Sequence, residues 1–453
     1  FPKNDQWAFF PSMSAGYVIS QEPFMAGISR WVPYLKLRGS WGSVGNQGVG
    51  NNPFLSVLSS QSSNWLVNNV NMLTMSTPGL VSPTLTWETV TTLDFGVDAR
   101  FFDNSFGVSF DWYKRTTSDM LSSGVTVPST LGTGAPRRNY GEMETTGWEL
   151  TLDWNHRFDN GINFGVTGVL SDFREKITKF ANTTKLLSSN FEGKVLGDIW
   201  GYETDRFFTK DDFLQDANGD LIIQNGKYVM QPKTPTQERW ESGWFFYGPG
   251  DIKYRDLNGD GKVDFGANSL DDHGDLRVIG NSTPRYQYGV RLNADWKGFD
   301  VAVYVQGVGK RQLWSSGPIF IPGFRVGEAW YEHQLDYWTP ENPNAFYPRP
   351  TDHAQSNNTR NFLPQTKYLL NMAYTRLKNV TIGYTLPVKI SSRIRLQNAR
   401  IYVSGENLAE IDHLDLPIDP EVDYTTAGLN DANTFGRVYP YRRTYSLGLQ
   451  VTF

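Results

Sequence analysis

The chain has no cysteine among its 453 residues, so disulfides and thiolate metal sites are excluded. Histidine is scarce: His156, His273, His333, His353 and His413 are scattered, with no metal-ligand spacing. No block of basic residues occurs, and 42 Lys and Arg against 47 Asp and Glu give a formal net charge of −5, so the footprint of a nucleic-acid binder is missing. Neither a G-x-S-x-G elbow nor a P-loop is present, and the many carboxylates have no defined separation across a cleft, so no enzyme is expected. No apolar run reaches the roughly 18 residues a membrane-spanning helix needs. A mean hydropathy of −0.45 suits a soluble protein, yet a transmembrane β-barrel escapes that test because its lipid-facing and lumen-facing residues alternate. Residues 1–20 lack a charged stretch followed by an apolar one, so no signal peptide is expected there: the chain is either mature or starts partway through a longer protein.

Aromatic residues and glycine are plentiful. Aromatics make up 14%, with 28 Phe, 22 Tyr, 15 Trp and 43 Gly, a mix suited to strands, tight turns and interfaces. Period-two alternation dominates the pattern. In WETVTTLDFGVDARF at 87–101, Trp87, Leu93, Phe95, Val97 and Phe101 face one way, while Glu88, Asp94, Asp98 and Arg100 face the other. The same alternation recurs at 148–157 (with Asp153 on the polar side), at 288–297 (with Arg291) and at 445–453, and it places these charges on a channel-lining face.

Strands are expected at 6–20, 31–42, 88–102, 104–116, 143–157, 161–174, 284–297, 298–310, 368–386, 399–408 and 441–453. Short connections at Asp103-Asn104, Asp159-Asn160-Gly161 and Lys297-Gly298 supply the positive φ of tight hairpins. Long ones, at 43–87, 117–142, 175–283, 311–367 and 409–440, far exceed the usual length of about four to six residues. Alternating the two kinds puts every long loop on one side of the sheet, as in an outer-membrane barrel with long extracellular loops. An odd count cannot close a bacterial barrel, so further strands are expected upstream.

Nine stretches in order resemble the SusC/RagA-type TonB-dependent transporters of Bacteroidota outer membranes: LKLRGSWGSVGNQGVG at 35–50, PTLTWETVTTLDFGVDARFFDN at 83–104, GEMETTGWEL at 141–150, GDIKYRDLNGDGKVD at 250–264, VIGNSTPRYQYG at 278–289, YWTPENPNAFYPR at 337–349, LKNVTIGYTLP at 377–387, IYVSGENL at 401–408 and the final VTF. The resemblance implies an all-β, antiparallel up-and-down transmembrane barrel of about twenty-two strands. Residues 1–453 would supply its C-terminal half, and the plug domain and TonB box are not among them. It further implies TonB-dependent import of a large nutrient, usually an oligosaccharide and sometimes an oligopeptide, under a SusD-like surface lipoprotein acting as a lid. TonB itself would engage the missing N-terminal region. A passive porin or surface adhesin, or a secreted carbohydrate-binding β-protein, are the rival readings.

The stretch DLNGDGKVD resembles the opening of an EF-hand loop. Asp256, Asn258, Asp260, the Lys262 carbonyl and Asp264 hold ligand positions, with Asp271 or Asp272 able to fold back in place of the missing twelfth-position acid, where Ala267 stands. Calcium or magnesium there would stiffen a long loop; the alternative is an Asx-rich turn without metal. The shorter echo at 216–220, DANGD, runs into LIIQNGKYV and is expected to be a hairpin. Trp240, Trp244, Tyr247, Trp314, Trp330 and Trp338 lie in the long loops and are candidate cargo or lid contacts, with loop packing as the alternative for each.

Overall fold

The computed structural model describes residues 6–48, 55–76, 78–82, 84–123, 128, 130, 132–241, 245–324, 327, 329–350, 360–424 and 435–453. Eleven strands form one antiparallel sheet in chain order. They are β1 (Ser12–Val18), β2 (Tyr34–Asn46), β3 (Glu88–Phe101), β4 (Phe106–Ser123), β5 (Arg137–Arg157), β6 (Asn163–Lys179), β7 (Arg285–Trp296), β8 (Phe299–Lys310), β9 (Tyr374–Thr385), β10 (Asn398–Asp412) and β11 (Thr444–Thr452). Each matches one expected strand, and β4 and β5 run further into their connection than the alternation suggested. Among the described residues no helix is long and apolar enough to cross a membrane, which says nothing of strands.

Cross-strand register explains why these residues make strands. Val301, Ile382, Val403 and Leu447 are successive partners across β8 to β11, and so are Phe299, Tyr384, Ile401 and Leu449 in the next row but one. These rows face outward, Leu447 being 78% and Leu449 67% exposed. A continuous apolar face of this kind would be an aggregation surface in water; in hydrocarbon it is the solvated face. The opposite face carries the polar side chains. There Arg38 reaches Asp98 at 2.7 Å and Asp111 at 2.8 Å, and Arg400 donates to Asp300 at 2.8 Å. A second regularity is that bulky side chains lie across glycines of the neighbouring strand: Tyr113 over Gly147, Tyr288 over Gly307, Arg400 over Gly383 and Tyr402 over Gly448. A Cβ at any of those glycines would collide with the covering group.

The short turns form as their residues dictate. Lys297 and Gly298 have φ of +50° and +91°, and Asp103 and Asn104 have +54° and +65°. A hairpin the sequence did not flag, Ser60–Val67 with Val70–Met75, occupies the β2–β3 connection, turning at Asn68 and Asn69, both at positive φ. The expected hairpin after DANGD is present as Ile223–Gln224 paired with Lys227–Tyr228 around Asn225 and Gly226.

Two compact units divide the chain: Phe1–Leu152 with Ser171–Leu196, and Asp153–Leu170 with Gly197–Phe453. In the first, a cavity of about 320 Å³ lies among Met120, Gly141, Ile177 and Phe180. In the second, the buried core is built almost entirely from connections. Tyr202, Ile252, Tyr254, Tyr347, Phe362, Met372, Tyr424 and Phe435 pack into one cluster. The connections of this unit thus fold on one another as a globular protein would, burying apolar residues that have no lipid to face.

Candidate functional site

The candidate site is this loop assembly, within the second unit. Its frame is polar as well as aromatic. Asp251 is fully buried and accepts from Arg349 at 2.7 Å, Asn361 at 2.9 Å and the Gly248 amide at 2.8 Å. Gln237, also fully buried, donates to the Ile252 carbonyl and accepts from the Tyr254 amide, stitching the segment before the acidic loop to the strand that leads into it. Asp212 collects Arg206 at 2.6 Å, Lys253 at 2.9 Å and the Thr209 amide at 2.9 Å. Burial opposes its ionisation, but those three donors outweigh it and hold the carboxyl well below the usual carboxylate range.

A second charged cluster ties the last long connection to the sheet. Arg376, 1% exposed, donates to Asp419 at 2.8 Å, to Glu421 at 2.5 Å and to Glu410. Lys378 adds a bond of 2.8 Å to Glu421. The guanidinium fork suits several carboxylates at once, which an ammonium would not.

The acidic loop folds as a chain of Asx turns. Asp256 accepts from the amides of Gly259 and Gly261, Asn258 from Asp260, Asp260 from Lys262, Asp264 from Gly266 and Asp272 from Ala267. Asp271 takes part in none of these bonds. The organiser is a residue sequence spacing did not indicate: Asp275, 1% exposed, accepts from the amides of Leu257 and Asp264 at 2.7 and 2.8 Å. Burial pushes its carboxyl up, against the pull of those amides. Among the described residues no group of three or more acids or histidines is arranged to hold an ion.

The aromatic candidates separate. Tyr247 is buried against Phe208 and Phe245, its hydroxyl donating to the Arg360 carbonyl. Trp240 packs on Tyr202 and Phe265, Trp314 on Phe320 and Trp330 on Tyr337. Trp244 lies outside the described residues. Trp338 differs: its indole rests on Gly250, at φ +90°, where a Cβ would enter the ring, and it lines an open cleft of about 720 Å³.

Facing the same cleft is Lys367, which sequence could not single out from any other lysine. Its ammonium lies 4.9 Å from the ring centre of Phe207, 5.5 Å from Phe346 and 5.7 Å from Tyr368. Burial lowers its pKa, with Asp336 pulling the other way from beyond ion-pair distance. No carboxylate within 4.0 Å pairs with it among the described residues.

Eleven antiparallel strands with an apolar outer face, and long connections gathered into an ordered assembly, define an integral outer-membrane β-barrel protein. The family model described as TonB dependent receptor-like, beta-barrel matches residues 1–408, and the chain belongs to that family, whose members are transporters and receptors rather than enzymes. TonB-dependent receptor P26 of Formosa agariphila is 28% identical over 100% of this chain and 43% of that protein. TonB-dependent receptor SusC of Bacteroides thetaiotaomicron is 27% identical over 51% of this chain and 25% of that protein. The RagAB peptide importer in its closed-closed state superposes with a TM-score of 0.71 at 22% identity, over 100% of this chain and 44% of that one, a likeness of fold. The chain spans less than half the length of these relatives.

Proposed function

We propose that this chain forms part of a TonB-dependent importer that takes up oligosaccharides together with a SusD-like surface lipoprotein serving as a lid. The observation that carries it is the loop assembly: connections from three parts of the chain share one buried core and present an open cleft edged by a fixed indole. A prefolded surface of this kind suits a large ligand and a docking partner. An indole face takes the C–H face of a sugar ring as it also takes peptide side chains, and the uptake test decides between the two cargoes.

The test is uptake by cells deleted for the gene and complemented with it. Oligosaccharides of three or more units should enter only with the transporter, and only while the TonB system is intact. Uptake of oligopeptides and no oligosaccharide would overturn the cargo; uptake persisting without TonB would overturn the mechanism. Affinity-tagged transporter should also retain a surface lipoprotein through detergent extraction.

A further inference from the structure

The cleft of the second unit combines three features that together specify a ligand. Trp338 supplies a flat apolar wall whose position is fixed from behind by Gly250, so no side-chain entropy is lost on stacking. Lys367 supplies a positive charge held by three rings instead of a carboxylate, and a cation left without an anion in partly desolvated surroundings gains most from receiving one. The other charges along the cleft are unequal in availability. Arg206 is committed to Asp212 at 2.6 Å, and Asp205 lies 3.7 Å from Lys253 and 3.9 Å from Arg206. Lys210, exposed at the rim, adds a second ammonium without an ion-pair partner among the described residues. The volume, about 720 Å³, falls within the range of small-ligand sites, about 300–1,000 Å³.

We propose that this cleft is a subsite for a carboxylated sugar, the carboxylate of a uronic acid unit taken by Lys367 and the C–H face of its ring by Trp338. It rests on the oligosaccharide reading above and narrows it to acidic glycans. Charge complementarity selects the anion, and the indole gives the sugar ring a stacking face.

Binding is measured by calorimetry on the full-length transporter in detergent. The probes are tri(galacturonic acid), its carboxyl-reduced neutral counterpart and the tripeptide Gly-Gly-Asp. The acidic trisaccharide should bind about tenfold or more tightly than the neutral one. Lys367→Met should abolish that preference and Lys367→Arg should restore much of it; Trp338→Ala should weaken both saccharides. Unchanged heat-modifiable gel migration certifies that each variant is folded. Equal binding of the two trisaccharides, an undiminished preference in folded Lys367→Met, or no saccharide binding at all would overturn the subsite. So would tighter binding of Gly-Gly-Asp than of the acidic trisaccharide, which would make the cleft a peptide carboxylate site. If neutral oligosaccharides enter cells while tri(galacturonic acid) fails to bind, only the subsite falls. If no oligosaccharide enters, the import reading falls as well.

Discussion

Single residues decide the shape of the loop assembly, and the sequence advertised only some of them. The run from Asp256 to Asp264 was legible because its spacing matches a known turn, whereas Asp275 was not, since nothing in a one-dimensional pattern marks an acid that folds back from eleven residues beyond Asp264. Asp275→Ala leaves the Leu257 and Asp264 amides without their acceptor, a loss of about 1–3 kcal/mol. Cleavage within 256–275 under limited proteolysis should therefore appear at lower protease concentration, with the strands unaffected. Calcium separates the two readings of this loop. A cation site would gain protease resistance on adding the ion. An Asx-rich turn without metal would be as protease-resistant in chelator as in calcium. Asp212 gives a pH signature. Its folded pKa lies below the unfolded value of about 3.9, so its contribution is complete above that pH and is lost as pH falls through the depressed value. The protection factors at 204–213, exchange rates corrected for the intrinsic pH dependence, should stay constant from pH 7 to about pH 4 and fall only below it, while Asp212→Asn should lower them throughout.

At the level of elements, strands and tight turns were the most readable part of the chain. Alternation is local, and a two-residue turn such as Lys297-Gly298 declares its positive φ in its composition. The connections were not readable in the same way, because their structure comes from contacts between distant segments. Tyr247, a candidate cargo or lid contact with loop packing as the alternative, packs in the core with its hydroxyl on a carbonyl 113 positions away. The Arg376 cluster belongs to the same class: an arginine at the start of β9 is unremarkable until Asp419 and Glu421 return to it from the β10–β11 connection. Arg376→Met would strand buried Asp419 without its cation, a cost of about 3–5 kcal/mol for breaking such a pair. The 413–424 segment should then become the first proteolytic cut site, and Arg376→Lys should rescue only partly because one ammonium cannot reach three carboxylates.

For the molecule as a whole, the division of labour between faces has a physical readout. Among the described residues the outward rows of β8 to β11 leave Leu447 and Leu449 exposed, a face suited to hydrocarbon, so the full-length protein should sediment with membranes and leave them only in detergent. Release by high salt or carbonate alone would contradict that. A further consequence follows from the glycines beneath Tyr113, Tyr288, Arg400 and Tyr402. In a water-soluble protein, tolerance to mutation tracks exposure: surface positions accept most residues and core positions few. Along this sheet exposure should still set the tolerance, but the exposed positions should accept apolar residues and refuse charged ones. A saturation scan scored by surface expression should find the outward Leu447 and Leu449 freely exchangeable for other apolar residues. Gly307, where a Cβ would also meet the Tyr374 carbonyl oxygen, should refuse even alanine, whereas Gly383, covered only by the ends of the Arg400 and Asp300 side chains, should accept alanine once they shift.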